Sequence, residues 1–120
     1  MITGIAFTGY SVSNLEAARS FYEGLLGLSP SVVVVGPPEH GLVEYDLGPS
    51  TLSITNRLSF LRPSPSGGVA VLEVSEMSVF AAKLERQGVG FLVPLTKGPS
   101  CLFAMIQDPD GNLIGLHQRG

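Results

Sequence analysis

The sequence predicts an α+β fold of two tandem β-α-β-β-β modules. Three observations carry the prediction: an internal repeat, two helical patterns placed alike within it, and strand-like segments divided by turn residues. Val12-Ser13-Asn14-Leu15 recurs as Val74-Ser75-Glu76-Met77, 62 residues further on in a chain of 120. Each copy is an apolar strand end followed by Ser, a polar residue, and an apolar residue that opens a helical pattern. With an offset of about half the chain, the domain reads as two similar modules.

In the first module, residues 2–12 read as a strand, and Ser13-Asn14-Leu15-Glu16 fits the Ser-x-x-Glu box that satisfies orphan amides at a helix start. Leu15, Ala18, Tyr22 and Leu25 then mark one buried helix face that ends near Gly27. Arg19 and Glu23 fall on the other side as an i,i+4 pair on a solvated face. Three further strands are expected at 31–35, 42–47 and 51–55, divided by Gly36-Pro37-Pro38 and Gly48-Pro49-Ser50.

Residues 1–57 thus form module one, and 58–68 form a linker whose Pro, Ser and Gly content suits exposed chain. Module two, residues 69–120, repeats the order. Residues 69–74 read as an apolar strand, and Met77, Phe80, Ala81 and Leu84 mark a helix that ends at Gly88. Strands follow at 89–95, 100–107 and 113–118. At half this length neither module buries its sheet face alone, so the modules, or two chains exchanging modules, are expected to share a core.

Composition bounds the function. The net charge is −3 and the seven Lys and Arg are scattered, which leaves no basic stripe for nucleic acid. The longest apolar run, Val32-Val33-Val34-Val35, is far below the roughly 20 residues of a membrane helix. Residues 1–4 lack the cationic and apolar regions of a secretory signal, so a cytoplasmic location is expected. Cys101 is the single cysteine, which excludes an intrachain disulfide; its apolar surroundings suit an inert small hydrophobe better than a nucleophile.

With these elements placed, the run from Val12 to Gly27 and the turn Asp108-Pro109-Asp110-Gly111-Asn112 closely resemble the vicinal-oxygen-chelate superfamily of glyoxalase I, extradiol dioxygenases, fosfomycin-resistance enzymes and bleomycin-binding proteins. The resemblance spans nearly the whole chain. It implies a cup-shaped mixed sheet, one half per module, and a likeness of fold rather than of one reaction. Metal-dependent members of that family place one ligand on each of four strands facing the hollow.

By that pattern the first ligand position falls on Phe7, its counterpart in module two on Val69, the last-strand position on Gly115 and the fourth near Ser53. Phe, Val and Gly side chains offer a divalent ion no electron pair, and Ser alone is a poor ligand. No cofactor is therefore expected, a relocated divalent metal being the alternative. Strand alternation sets Glu73 and His117 on the same faces as Val69 and Gly115. His40 and Glu44 lie in a stretch whose register the sequence leaves open.

Phe7 and Val69 present apolar surface, Gly115 opens space, and Met105 adds an adaptable wall, with Ser53, Thr55, Glu73 and His117 as polar anchors. The expected function is metal-independent sequestration of an apolar or aromatic small molecule, as in the bleomycin-resistance branch, by a homodimer with no nucleic-acid or membrane partner. The alternative is a lyase, isomerase or dioxygenase with a relocated metal or with His117 as base. A third possibility is a hollow filled by its own side chains, which leaves a dimeric interaction module.

Overall fold

The computed structural model describes residues 1–37 and 40–120, so Pro38 of the expected Gly36-Pro37-Pro38 turn lies outside the described residues. The chain divides into two compact units, Met1–Pro63 and Ser64–Gly120, with the boundary inside the expected linker.

The first unit is a four-stranded mixed sheet covered on one face by a helix. Its strands are β1 (Thr8–Ser11), β2 (Pro30–Gly36), β3 (His40–Leu47) and β4 (Ser50–Thr55), in the order β1-β4-β3-β2. β1 runs parallel to β4, and the other pairs are antiparallel. Tyr10, Val43, Tyr45, Leu52 and Ile54 point to the helix side and form the core with Leu15, Ala18, Phe21 and Tyr22. The Tyr22 ring lies 6.4 Å from that of Tyr10 and 6.2 Å from that of Tyr45.

Expectations at the start of this unit are corrected. β1 is four residues long, not the eleven of 2–12, because it pairs only with β4 from Thr8↔Leu52 to Ser11↔Thr55. Among the described residues no strand pairs with Ile2 or Ile5, which are exposed. The helix cap is Asn14 rather than Ser13: its side-chain oxygen accepts from the Ala17 amide at 3.0 Å.

α1 (Leu15–Arg19) passes directly into a π-helical stretch, Ser20–Leu25, closed by the Leu26 amide donating to the Phe21 carbonyl at 3.0 Å. The extra residue per turn rotates the end of the helix, so Leu26 takes the buried place expected of Leu25. Gly27 then turns the chain at φ 75°.

The second unit repeats the plan with β5 (Ala70–Glu73), α2 (Met77–Arg86), β6 (Phe91–Lys97), β7 (Cys101–Gln107) and β8 (Leu113–Arg119), ordered β5-β8-β7-β6. Met77, Ala81 and Leu84 of α2 are buried with Ala104, Ile106, Ile114 and Leu116 of the sheet. The repeat holds at the level of register. Thr8↔Leu52 and Ser11↔Thr55 become Ala70↔Ile114 and Glu73↔His117, every residue moving by 62.

The Asp108–Asn112 turn that joins β7 to β8 is a structural device. Both ends are buried: Asp108 accepts from the amides of Asp110 and Asn112 through Oδ1, and from Asn112 Nδ2 through Oδ2, at 2.8 to 2.9 Å. Asn112 Oδ1 in turn accepts from the Ser64 amide at 2.9 Å, tying down the start of the unit. Gly111 sits at φ 84°, where a side chain would be strained. Among the described residues no helix is long and apolar enough to cross a membrane.

Candidate functional site

Strand alternation gives each sheet a face that the helix leaves uncovered, and all eight expected site residues belong to those faces. In the first unit Gly9 pairs with Ser53 across β1 and β4, and a Cβ on Gly9 would stand 2.9 Å from Ser53 Oγ and 3.8 Å from the Phe7 ring. Phe7 and Ser53 are thus gathered over one glycine, Phe7 half exposed and Ser53 buried. Glu44 pairs with Ser53 from β3, so its register is fixed onto the same face. The Thr55 hydroxyl is engaged with backbone: it donates to the Gly41 carbonyl at 2.9 Å and accepts from the Arg57 amide at 3.1 Å.

The second unit brings more chemistry together. One row across the uncovered face is apolar: Val71 on β5, Gly115 on β8, Met105 on β7 and Val93 on β6 are successive cross-strand partners. Val69 precedes Val71 on that face and is exposed. Gly115 does not open space, as its sequence suggested. A Cβ there would lie 2.9, 3.3 and 3.4 Å from the Cγ2, Cγ1 and Cβ atoms of Val71, which already fill the gap.

The next row is polar and aromatic: Glu73, His117 and Phe103 are partners across β5, β8 and β7. His117 Nδ1 lies 2.7 Å from Glu73 Oε1, and the Arg119 amide donates to Glu73 Oε2 at 2.7 Å. Both carboxylate oxygens are therefore held. The Arg119 amide and then the His117 ring keep the Glu73 carboxyl below its ordinary acid range. An ionised carboxylate only accepts, so Nδ1 carries the proton shared with Glu73, and no described residue bonds Nε2. Glu73 is 55% exposed, and the register β5↔β8 sets it against His117.

A cleft of about 700 Å3 lies elsewhere in the first unit, between the start of α1 and the β2–β3 edge, with Asn14, Arg19, Glu23, Val35, His40 and Asn56 among its walls. Sequence reading placed Arg19 and Glu23 on a solvated face. Instead Glu23 accepts from Arg19 Nε at 2.7 Å, from Arg19 Nη2 at 3.2 Å and from the buried Tyr45 hydroxyl at 2.9 Å. Burial first, and the Glu23 carboxylate second, push the Tyr45 hydroxyl well above its usual range. Asn14 Oδ1 caps the helix and Asn56 Oδ1 accepts from the Gly41 amide. These wall groups hold the fold. Tyr45 escaped sequence reading because only the strand register brings it under Glu23.

Of the residues that the resemblance sets at the ligand positions, Phe7, Val69 and Gly115 offer a divalent ion no electron pair, and a Ser such as Ser53 is a poor ligand alone. Among the described residues no group of three or more His, Cys, Asp or Glu side chains gathers closely enough to hold one.

The family model described as Glyoxalase/Bleomycin resistance protein/Dioxygenase superfamily matches residues 4–116. The chain belongs to this superfamily. TnmS3, an antibiotic binding protein from Streptomyces sp. CB03234, is 25% identical over 99% of this chain and 98% of its own, with a TM-score of 0.80. A glyoxalase/bleomycin resistance protein from the same Streptomyces is 26% identical over 96% of this chain and all of its own (100%), with a TM-score of 0.76. A glyoxalase family protein from Enterococcus faecalis, 22% identical over 95% and 96% of the two chains with a TM-score of 0.70, shares the fold. No curated protein sequence matches the chain.

Proposed function

We propose that this superfamily member is a metal-independent binding protein that sequesters an apolar or aromatic small molecule. The observation that carries the reading is the uncovered face of the second sheet, where an apolar row (Val71, Met105, Val93) adjoins an aromatic and polar row (Phe103, His117, Glu73). Burial against such a row supplies affinity, and one placed polar group supplies orientation. The likeness to an antibiotic binding protein supports the same reading. The deciding experiment is native mass spectrometry of the purified protein with metal analysis. The expected result is a metal-free protein that takes up one aromatic compound per site; a tightly held transition metal overturns it.

The Glu73–His117 bond favours one second reading, an enzyme of the lyase, isomerase or dioxygenase type with His117 as base. Turnover lost in His117→Ala would establish it. A homodimer and a cytoplasmic location belong to the main proposal. β2 gives the physical reason for the dimer: it is an edge strand whose Val32, Val33, Val34 and Val35 are exposed on both faces and carry no charge to repel a second copy. The other antiparallel edge, β6, is broken by register shifts and carries Pro94 and Lys97.

A further inference from the structure

The two oxygens of Glu73 are both committed, one to the His117 ring and one to the Arg119 amide. That bond directs the imidazole and, with the carboxylate accepting, sets its tautomer, so Nε2 is the nitrogen available for a further contact. No described residue bonds Nε2. The His117 side chain is a little under a third exposed (31%), enough to be reached. Its neighbours there are Phe103 across β7 and, one row along, the apolar strip of Val71 and Met105. An acceptor nitrogen of set direction beside an aromatic ring and an apolar strip matches a flat molecule with a hydroxyl on its rim.

We propose that the ligand of the second unit's uncovered face carries an aromatic or enolic hydroxyl, and that His117 Nε2, held by Glu73, is the group that selects it. The inference rests on the binding reading above. A phenol suits the site in both protonation states of the pair: its O–H donates to the neutral ring, and its oxygenate accepts from the charged one, so a single proton lies between oxygen and nitrogen either way. A methyl ether of the same shape has no proton to give and leaves Nε2 desolvated and unpaired. Phe103 and Val71 bind both equally. His117 is thus a selecting residue and Glu73 a positioning residue.

The test is isothermal titration calorimetry of the full chain with 2-naphthol and 2-methoxynaphthalene. The expected result is that 2-naphthol binds about tenfold tighter or more, the size of one satisfied against one orphaned hydrogen bond. His117→Phe should bring the ratio to about one while the ether keeps its affinity. Glu73→Gln should lower the ratio as well, because an amide can donate to Nδ1 and move the ring proton to Nε2; a purely structural role for Glu73 would shift both affinities together. Equal binding of the two probes by the wild-type protein, or a ratio that survives both substitutions, overturns the inference and leaves the binding reading standing. Binding of neither probe overturns both.

Discussion

Gly115→Ala tests the packing of the site-bearing face. The added Cβ would stand 2.9 Å from Val71 Cγ2 and 3.3 Å from Cγ1, both inside normal contact, and Val71 is β-branched on a paired strand, so its χ1 has few places to go. Overpacking of this kind costs about 1–3 kcal/mol. Val71→Ala removes both close atoms and leaves Val71 Cβ at 3.4 Å, an ordinary contact. Val71 is 56% exposed, so that substitution alone forfeits less than half of the roughly 1.5–3 kcal/mol of a fully buried Val, about 1 kcal/mol at most. In the Val71→Ala background Gly115→Ala should then be neutral or stabilising, since Ala in a strand interior gains roughly 0.5–1 kcal/mol over Gly. The double-mutant cycle, read from urea midpoints, should give a coupling of about 1 kcal/mol or more of compensating sign. Additive single effects, or a Gly115→Ala protein as stable as the parent, would refute the claim that Val71 occupies the space beside Gly115.

Other consequences are checked by similar means. Asp108→Ala strips three hydrogen bonds from a buried turn and should cost about 2–4 kcal/mol in denaturant unfolding. Tyr45→Phe leaves the Arg19–Glu23 pair but deletes a hydroxyl bond, and should cost about 1 kcal/mol with little change in fold by circular dichroism. The Arg19 hydrogen bond, ahead of the opposing effect of burial, holds the Glu23 carboxyl below its ordinary value of 4.5. Its stabilisation is therefore present above that pH and lost as pH falls through the lower folded value, so Glu23→Gln should flatten the acid limb of a thermal-melt series. Val33→Lys places a charge at the exposed β2 edge; if the proposed homodimer pairs there, light scattering should show a dimeric parent and a monomeric variant, and a variant as dimeric as its parent would exclude β2 from the contact.

The fold was legible because its evidence is repetitive. The copies of Val-Ser-x-apolar, the buried spacing from Leu15 to Tyr22 and the Asp-Pro-Asp-Gly turn each say little, but they agree in order and offset. What stayed hidden depends on partners that sequence does not show. Ile2 and Ile5 look like strand residues until no neighbouring strand is found, and the shift from Leu25 to Leu26 follows from a π-turn with no compositional mark. The faces of Phe7, Ser53, Glu73 and His117 could be read from alternation. The Glu73–His117 bond could not, because it needs the β5↔β8 register, and neither could the Val71 side chain that fills the place beside Gly115.

The shared register turns the two units into a comparison within one molecule. Gly9 and Ser53 occupy the backbone positions of Val71 and Gly115, so the glycine has changed strands and the bulk has moved with it. In both units a Cβ on the glycine would stand 2.9 Å from the side chain it faces across the parallel pair, Ser53 Oγ for Gly9 and Val71 Cγ2 for Gly115. Two residues along, Ser11 and Thr55 correspond to Glu73 and His117. The first pair is spent on backbone, Ser11 donating to the Leu61 carbonyl and Thr55 to that of Gly41. The second pair bonds across the strands and leaves a ring nitrogen over. The same scaffold has thus given one unit a closed strand end and the other a directed polar group, which is why the proposal sets ligand selection in the second unit. Exchanging Thr55 for His should not create a second site, since Ser11 cannot supply the carboxylate that would orient it.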